Sequence, residues 1–272
     1  MGGAIHIGTS GWHYRHWVGP FYPPGTPSGA YLDYYARHFT ATEINGSFYR
    51  MPSERTLATW RDSVPGTFRF AVKASRFMSH AKKLAGPIEL YAAFFGGIAT
   101  LGPKLGPILI QLPPTWRVNG DRLRAFLRDA PRCYRYAVEF RNATWLIPAV
   151  YDVLAKHGAA LCLYDIGGFQ SPVETVTNFV YIRLHGPGAK YEGQYGTAAL
   201  GAWAERIDRW TRSGYDVWCF FDNDQNGYAA ADALRLQRLI ATGAAEPRDE
   251  VRPGLSGHTT GRVRPTPSRS IR

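Results

Sequence analysis

The protein has 272 residues, of which 45% are hydrophobic and 14% aromatic, so its apolar side chains suffice for at least one large core. That composition excludes a chain that is disordered throughout. The formal net charge of +11 favours anionic partners such as phosphate groups or nucleic acid. Three cysteines cannot all pair, and the longest apolar passage is shorter than the ~20 residues that span a bilayer. We therefore expect a soluble, cytoplasmic protein without a membrane partner.

Eight short runs along the chain have the composition of β-strands. In order they are AIHIGTS, TATEIN, FRFAVKAS, PILIQLPP, RYAVEFR, ALCLYDI, FVYIRLHG and DVWCFFDND. The helical patterns between and after them are SGAYLDYYARHF, SERTLATWRDS, IELYAAFFGGIATL, DRLRAFLRDA, PAVYDVLAKHG, LGAWAERIDRWTRSG and YAAADALRLQRLIATG. Only the link over residues 165–178, which is rich in Gly and Pro, lacks a convincing helix.

This order of elements predicts an α/β fold. Strand and helix alternate over about 240 residues, which is typical of a parallel sheet. Eight units of this length fit a single-domain (β/α)8 TIM-type barrel better than an open doubly wound sheet. We predict that residues 1–242 form this barrel. From residue 243 the composition shifts to Arg, Pro, Ser, Thr and Gly without periodicity, so residues 243–272 are predicted to be a disordered basic tail.

Side chains alternate between two faces along each predicted strand. One face is apolar and is expected to meet the surrounding helices. The other face becomes polar toward the C-terminal ends of the strands, where the loops of a barrel gather around its mouth. The polar positions are Glu43, Asn45, Lys73, Gln111, Glu139, Arg141, Asp165, Arg183, His185 and Asn223.

The acids among these residues need partners, because removing an ion from water costs several kcal/mol. Lys73 can neutralise Glu43, and Arg141 can neutralise Glu139, with Arg183 as a third cation. These charges either form a network that only fills the barrel or line an active site. Strand after strand turns polar at the same end, which favours an active site, because barrel enzymes place their sites there.

Several runs of the sequence resemble the YecE-like family. They are GTSGWHYRHWVGPFYP (8–23), TEINGSFYRMP (42–52), FAVKAS (70–75) with His80 and Leu84 after it, ILIQLPP (108–114), AVEFRNATW (137–145), YIRLHG (181–186) and FFDNDQNGYAAADA (220–233). The resemblance covers roughly residues 5–240 and implies a (β/α)8-type barrel. It also implies a shared pattern without assigned roles, made of Glu43, Lys73, Gln111, Glu139, Arg141, Asp165, Arg183, His185 and Asn223. Residues 77–79 and the basic tail depart from the family pattern.

We interpret the cation-rich mouth as a site for a small anionic ligand, for example a phosphate ester. Arg141 and Arg183 would hold the anion, and Lys73 would stabilise developing charge. Glu139 or Glu43 would remove a proton or activate water, so the reaction would be hydrolytic or acid–base. Further candidates are His185, which could share that work, and the substrate-binding residues Gln111, Asn45, Asn223 and Asp165.

Glycoside hydrolysis is an alternative, because it uses paired carboxylates. Trp12, Tyr49 and Trp145 are predicted near the mouth and would suit sugar rings. Against this alternative, Glu43 ends the second strand and Glu139 the fifth, nearly opposite on the ring. Cationic neighbours should also lower the pKa of both acids and weaken them as general acids.

We expect no cofactor and no metal in the site. Only His185 among the histidines ends a predicted strand, which is too few for a zinc centre. Asp222 and Asp224 are alternatives as ligands of a divalent cation, but capping of the last helix by Asp224 or Asn226 is the favoured interpretation. Nucleotide-loop, dinucleotide-binding, serine-hydrolase and thiol-redox motifs are absent from the sequence.

Nucleic-acid binding or processing is a further alternative, because arginines cluster on two predicted helices and in the tail. Such runs are usually only the solvated face of a helix, so this alternative depends on binding that weakens steeply with salt. Arg122, Arg124, Arg128, Arg132 and Arg135 lie around the helix predicted from DRLRAFLRDA, and Arg206, Arg209 and Arg212 lie on the one predicted from LGAWAERIDRWTRSG.

Overall fold

The computed structural model describes residues 2–243, and residues 244–272 of the predicted tail lie outside them. Nine strands are present in this part of the chain: β1 (Ile5–Thr9), β2 (Ala41–Ile44), β3 (Arg69–Lys73), β4 (Leu105–Leu112), β5 (Tyr136–Phe140), β6 (Ala160–Ile166), β7 (Phe169–Gln170), β8 (Phe179–Leu184) and β9 (Asp216–Phe221). Neighbours follow the order β1-β9-β8-β6-β5-β4-β3-β2, all in parallel, and β7 pairs antiparallel with β6. The predicted TIM-type barrel is therefore confirmed.

Seven α-helices accompany these strands within residues 2–243. They are α1 (Tyr31–Ala36), α2 (Glu54–Asp62), α3 (Ala92–Ala99), α4 (Gly120–Asp129), α5 (Pro148–Lys156), α6 (Thr197–Arg212) and α7 (Tyr228–Thr242). Between β6 and β8 the chain forms β7 and an irregular link, as its Gly and Pro content predicts. Across residues 2–243 we find no helix that combines the length and the apolar character needed to cross a bilayer.

The start of α7 differs from the prediction. Neither Asp224 nor Asn226 caps this helix through its side chain. Gly227 precedes it instead, with a φ of 77°, a left-handed conformation that costs glycine little. By contrast, α2 begins with a side-chain cap, because Ser53 Oγ accepts a hydrogen bond from Thr56 N at 3.1 Å.

The barrel closes where β1 approaches β2. Ser10 and Glu43 form a parallel bridge there, and Thr42 Oγ1 donates to Thr9 O at 3.0 Å. This approach requires a glycine in β1, because a Cβ at Gly8 would lie 1.9 Å from Ala41 O. The absence of a side chain at one position therefore allows the eight parallel strands to meet.

Two layers of core residues follow from the alternation along the strands. The outer layer lies between sheet and helices and includes Ile7, Val72 and Ile110. The inner layer fills the lower barrel with a mixture of small and large side chains. Its members are Ala41, Ala71, Leu109, Ala137, Ala160, Cys162, Phe179, Tyr181, Trp218 and Phe220. The inward positions above this layer are polar, and they form the candidate site.

Candidate functional site

A cluster of charged side chains lies inside the barrel at the C-terminal ends of its strands. Glu43 and Glu139 are fully buried there, and Arg183 is 1% exposed. The cluster consists of Glu43 from β2, Glu139 from β5, Arg141 just after β5, Arg183 from β8, His185 just after β8 and Asp222 just after β9. We call these six residues the central network.

Arg183 lies at the centre of this network and contacts three carboxylates. Its Nη2 donates to Glu43 Oε1 at 2.8 Å and to Asp222 Oδ2 at 3.0 Å, and its Nη1 donates to Glu139 Oε2 at 2.9 Å. Burial alone would lower the pKa of Arg183, but Glu43, Asp222 and Glu139 raise it well above its ordinary value. Its donors are therefore occupied by acids of the protein, and the predicted role of Arg183 as a clamp for a ligand is not available to it.

Glu43 has two further donors that fix its position. Tyr181 Oη donates to Glu43 Oε2 at 2.6 Å, and Ser10 Oγ donates to Glu43 Oε1 at 2.8 Å. Burial and the Glu43 carboxylate raise the pKa of Tyr181 well above its ordinary value, so the phenol keeps its proton. Together with Arg183, these donors give both carboxylate oxygens of Glu43 hydrogen bonds. The hydrogen bonds compensate for the removal of the carboxylate from water.

The neighbours of His185 define which of its nitrogens carries a proton. Arg141 Nη2 lies 2.8 Å from His185 Nε2, and an arginine can only donate. Nε2 must therefore accept, and Nδ1 carries the proton that it donates to Asp222 Oδ2 at 2.9 Å. In this arrangement Nε2 already accepts a hydrogen bond from Arg141, so the predicted role of His185 as a proton acceptor would require that contact to break.

Glu139 and Asp222 are kept ionised by the cations around them. Burial alone would raise the pKa of Glu139, but Arg141 and Arg183 hold it well below the usual range of a glutamate. Burial likewise opposes ionisation of Asp222, and Arg183 with His185 lowers its pKa. The predicted pairing of Glu139 with Arg141 is present as a hydrogen-bonded ion pair.

Lys73 differs from every member of the central network. It comes from the inward face of β3 and is 9% exposed, yet its ammonium has no hydrogen bond or ion pair within residues 2–243. Nζ lies 4.5 Å from the centre of the Phe48 ring. Burial, followed by the charge of Arg183, lowers the pKa of Lys73 to about 8, although Glu139, Glu43 and Asp222 oppose the shift. The predicted pairing of Lys73 with Glu43 is wrong, because Arg183 takes that carboxylate.

A cleft of about 550 Å³ opens beside the central network, a volume typical of small-ligand sites. Its walls come mostly from the loops after β3 to β6 and from the loop before α6. The lining residues are His80, Gln111, Leu112, Pro114, Arg141, Ala143, Leu146, Tyr164, Ile166, Phe169, Lys190 and Tyr191. The cleft therefore combines apolar walls with a few polar groups, most of them cationic or neutral.

Arg141 connects the cleft to the central network. Its Nε donates to Glu139 and its Nη2 to His185, and its guanidinium lies 5.0 Å from the centre of the Tyr164 ring. Arg141 Nη1 has no acceptor among residues 2–243, and the side chain is 13% exposed in the cleft wall. Next to it, Gln111 Nε2 donates to Glu139 Oε1 at 2.9 Å, and the amide oxygen of Gln111 has no hydrogen bond in the described part of the chain.

The loop that carries Lys190 and Tyr191 closes one side of the cleft. Tyr191 N donates to His185 O at 2.6 Å, and the Tyr191 ring packs edge-on against the His185 ring at 5.7 Å. Burial and Asp222 raise the pKa of Tyr191 to about 12, so its hydroxyl is a donor at neutral pH. Lys190 lies above the Tyr191 ring and adds a second cation at the rim.

Two predicted site residues lie on the opposite face from the one expected. Cys162 and Phe220 belong to the inner layer, so the alternation directs Asp165 and Asn223 outward. Asn223 Nδ2 donates to Asp232 Oδ2 of α7 at 2.9 Å and to Gly193 O at 2.9 Å. Asp165 is half-buried outside the central network, and burial raises its pKa. Both residues shape the surroundings of the mouth without lining it.

Three predicted aromatics also lie apart from the cleft. Trp145 is fully buried, stacks on Phe140 and donates its indole N–H to Trp116 O at 2.7 Å. Trp12 is 5% exposed within the outer core, and Tyr49 is 84% exposed on the surface. Asn45, by contrast, lies at the end of β2 with its Oδ1 buried and without a hydrogen-bond partner in the described chain.

Sequence reasoning missed Tyr181 and considered Asp222 only as an alternative cation ligand, not as a partner of Arg183 and His185. The alternation could have found both, because Asp222 continues the inward series of Trp218 and Phe220, and Tyr181 precedes Arg183 by two positions. No group of three or more His, Cys, Asp or Glu side chains within residues 2–243 has an arrangement that could hold a metal ion.

Comparisons with known proteins give a consistent result. A sequence profile described as "Protein of unknown function DUF72" matches residues 6–254. UPF0759 protein YunF of Bacillus subtilis (strain 168) is 27% identical over 274 aligned positions, which cover 87% of this chain and 94% of YunF. UPF0759 protein YecE of Escherichia coli (strain K12) is 32% identical over 142 positions, which cover 51% of this chain and 48% of YecE.

Solved structures with the same barrel include relatives and more distant proteins. A DUF72 family protein from Thermotoga maritima MSB8 matches with a TM-score of 0.78 and 26% identity, covering 88% of this chain and 99% of its own. D-Psicose 3-epimerase from Clostridium cellulolyticum H10 matches with a TM-score of 0.52 and 13% identity, covering 87% of this chain and 98% of its own. At that identity the epimerase shares the fold alone.

Proposed function

Because the chain belongs to the DUF72 family and its barrel mouth holds the cleft described above, we propose that it is an enzyme for acid–base chemistry on a small anionic substrate. Membership confirms the YecE-like resemblance of its motifs. The observation that carries the proposal is Lys73, whose side chain is 9% exposed and whose ammonium has no hydrogen bond or ion pair in the described chain, whereas every charged residue of the central network is paired. A group that transfers protons near neutral pH needs a pKa close to that pH, and Lys73 has one of about 8.

The anion-binding part of the proposal rests on Arg141. This residue lines the cleft, and its Nη1 has no protein acceptor within residues 2–243, so it can bind a carboxylate or phosphate oxygen. Lys190 supplies a second positive charge at the rim, and the amide oxygen of Gln111 can accept a hydrogen bond from a hydroxyl group of the same substrate. In this proposal Arg141 replaces Arg183 as the residue that holds the anion.

Other members of the central network position Arg141. Glu139 orients Arg141 through their ion pair. Glu139 is itself held in place by a second ion pair, with Arg183. Hydrogen bonds that are already formed before the substrate arrives need no reorganisation during the reaction. The network therefore supports a rigid site at the end of the barrel where activity is normally found.

Deuterium exchange tests the proposed function without a known product. The protein is incubated in D2O with small sugar phosphates, hydroxy acids and keto acids, and loss of acidic C–H signals is followed by NMR. We expect exchange into at least one compound, its loss in Lys73→Met, and roughly tenfold weaker binding in Arg141→Met, because a hydrogen bond to a charged group contributes about 1.5–3 kcal/mol.

Arg124→Met is the matched control for Arg141→Met. Arg124 is an exposed arginine of α4 that pairs with Asp121 at 2.5 Å, and it should leave exchange and binding unchanged. Exchange that persists in Lys73→Met, or a panel in which no compound is bound or exchanged, would contradict the proposal.

Hydrolysis and glycoside hydrolysis receive less support from the same geometry. Glu43 and Glu139 both accept hydrogen bonds from Arg183, which weakens them as bases toward water. Glycoside hydrolysis also needs a protonated acid, whereas the cations hold the pKa of Glu139 low.

Nucleic-acid binding is likewise less supported. Arg124, Arg128, Arg135 and Arg212 all pair with neighbouring aspartates, which reduces the charge that these arginines present to a phosphate backbone. Binding to duplex or single-stranded DNA that weakens steeply with salt would restore this alternative.

A further inference from the structure

We propose that Lys73 is a nucleophile that forms an imine with its substrate, which makes the substrate a small aldehyde or ketone with an anionic group. The inference rests on the proposed function and narrows its substrate class. An amine that attacks a carbonyl needs an unshared electron pair, freedom from protein acceptors and a route to the ligand. Lys73 has a lowered pKa and no protein acceptor within residues 2–243, and the inference requires that it reach the ligand from beside His80 of the cleft wall.

The contacts of Lys73 leave its Nζ free to react. Within residues 2–243 Nζ forms no hydrogen bond or ion pair, and it lies 4.5 Å from the centre of the Phe48 ring. Lys104, another half-buried lysine, shows the usual alternative, because its Nζ donates to Arg61 O at 2.5 Å and Val64 O at 2.6 Å. An ammonium held by two carbonyls serves structure, whereas Lys73 gains no such stabilisation.

Lys73 lies next to the cleft rather than in its lining, and Phe48 connects the two. The Phe48 ring packs edge-on against His80 at 5.0 Å, and His80 lines the cleft. Burial, followed by the charges of Lys73 and Arg76, lowers the pKa of His80, so its imidazole is neutral at pH 7. Lys73 and His80 therefore share Phe48 as an aromatic neighbour, and only His80 of the three lines the cleft.

The charge state of Lys73 suits nucleophilic attack. The charged groups that face it are Arg183, Glu139, Glu43 and Asp222, and burial exceeds each of them in its effect. With a pKa of about 8, about a tenth of the Lys73 side chains are neutral at pH 7. For an exposed lysine with a pKa near 10.4 the neutral fraction is about 200-fold smaller. Buried lysines with lowered pKa values act as nucleophiles toward carbonyls for this reason.

Imine formation at Lys73 takes place in two stages, attack on the carbonyl and loss of water. Neutral Nζ attacks the carbonyl carbon, the C=O π electrons move to oxygen, and a proton passes from nitrogen to oxygen to give a carbinolamine. The carbinolamine then loses its hydroxyl group and one N–H proton as water, which leaves a C=N bond. One water is released for each imine formed, and no oxidant or reductant takes part. Arg141 would hold the anionic group of the same molecule.

Reductive trapping tests the imine directly. The full chain is incubated at pH 7 with pyruvate or glyoxylate and sodium cyanoborohydride, and the modified lysine is located by peptide mass spectrometry. Six lysines compete for labelling, and we expect Lys73 to be labelled at least tenfold faster than Lys104 or Lys190. Acetone, which lacks the anionic group, should label Lys73 more slowly than pyruvate does.

Matched variants complete the experiment. Lys73→Arg should lose the fast adduct, whereas Lys104→Arg and Lys156→Arg, which replaces an exposed lysine of α5, should keep it. Lys73→Cys in a Cys133→Ser background, alkylated with bromoethylamine, restores an amine at this position and should restore labelling even if Lys73→Arg folds poorly. Labelling of all lysines at the same rate, or the absence of a label on Lys73, would overturn the inference. Deuterium exchange that depends on Lys73 without any trapped adduct would make Lys73 a proton carrier, and the proposed function would stand alone.

Discussion

Arg183 and Glu43 form a two-pronged ion pair across the interior of the barrel. Arg183 Nη2 lies 2.8 Å from Glu43 Oε1, Arg183 Nε lies 3.1 Å from Glu43 Oε2, and the two residues are 140 positions apart in sequence. They come from β8 and β2, which are separated on the ring by β9 and β1. The pair therefore links the two sides of the junction where the barrel closes. Removal of this ion pair should therefore lower the free energy of unfolding, whether or not a ligand is present.

The first prediction is that Arg183→Met strongly destabilises the protein. The substitution leaves Glu43, Glu139 and Asp222 buried without their shared cation, and breaking such a buried pair costs about 3–5 kcal/mol. Urea unfolding at pH 7 measures this loss as a decrease in the free energy of unfolding. Arg212→Met is the control, because Arg212 pairs with Asp208 on the surface with 78% of its side chain exposed, and little change is expected there. Equal effects of the two substitutions would show that the central network does not stabilise the barrel.

The second prediction is that Glu139 contributes to the loss of stability at acidic pH. The pKa of Glu139 is lower in the folded protein than in the unfolded chain, where a glutamate titrates near 4.3. The unfolded state therefore binds more protons on the acid side, and the stabilisation from Glu139 is present above about pH 4.3 and lost as pH falls further. Glu139→Gln should flatten the decline in the free energy of unfolding between about pH 5 and pH 3.

Glu205→Gln provides the comparison for this pH series. Glu205 is an exposed glutamate of α6, so its substitution should leave the slope of stability against pH unchanged. Parallel slopes for wild type and Glu139→Gln would contradict the shifted pKa, whatever the absolute stability of the variant.

The sequence predicted the barrel and its polar mouth but not the partners within the mouth. Alternation along β2, β5 and β8 correctly directs Glu43, Glu139 and Arg183 inward, because a strand has only two faces. The same rule failed at Asp165 and Asn223, where the face was assigned from their polarity rather than by counting from the inward Cys162 and Phe220.

Pairing was harder to predict than direction, for a physical reason. When only the strand order is known, Lys73 is as good a candidate as Arg183 for the partner of Glu43. Glu43 is an inward anion of β2, and Lys73 is an inward cation of the adjacent β3. The choice depends on the stagger between strands, on side-chain reach and on donor geometry. A guanidinium can bind three carboxylates at once, whereas an ammonium lacks that planar fork, and only coordinates show that Arg183 occupies the centre.

The third prediction separates a functional lysine from a structural one. The pKa of Lys73 is lowered to about 8 in the folded protein, against about 10.4 in the unfolded chain. Between these values the unfolded state binds more protons, so stability rises with pH from about 8 to about 10, and below pH 8 the full penalty remains. Lys73→Met removes that penalty and should stabilise the protein at pH 7 by on the order of 1–3 kcal/mol.

Urea unfolding at pH 7 and pH 9.5 checks this prediction, because the advantage of Lys73→Met should shrink at the higher pH as wild-type Lys73 loses its proton. Lys104→Met is the contrasting variant. It removes two hydrogen bonds, to Arg61 O and Val64 O, and should destabilise the protein. A Lys73→Met protein that is less stable than wild type at pH 7 would indicate that the amine supports the fold and would remove the main reason to assign it to catalysis.

The fourth prediction tests the closure of the barrel on which the whole site depends. In Gly8→Ala the new Cβ would lie 1.9 Å from Ala41 O and 2.7 Å from Tyr35 Oη, so β1 must move away from β2. That movement would also separate Ser10 from Glu43, whose side chains are 2.8 Å apart. We expect a loss of about 3 kcal/mol or more in the free energy of unfolding, at the upper end of overpacking effects.

Gly201→Ala is the matched control, because Gly201 lies within α6 with no atom within 4 Å of the new methyl group. Alanine stabilises a helix interior by about 0.5–1 kcal/mol relative to glycine, so the control should change stability in the opposite direction. Thermal unfolding of both variants distinguishes the effects, and a stable Gly8→Ala protein would show that β1 and β2 are not held as closely as the Ser10–Glu43 contact requires.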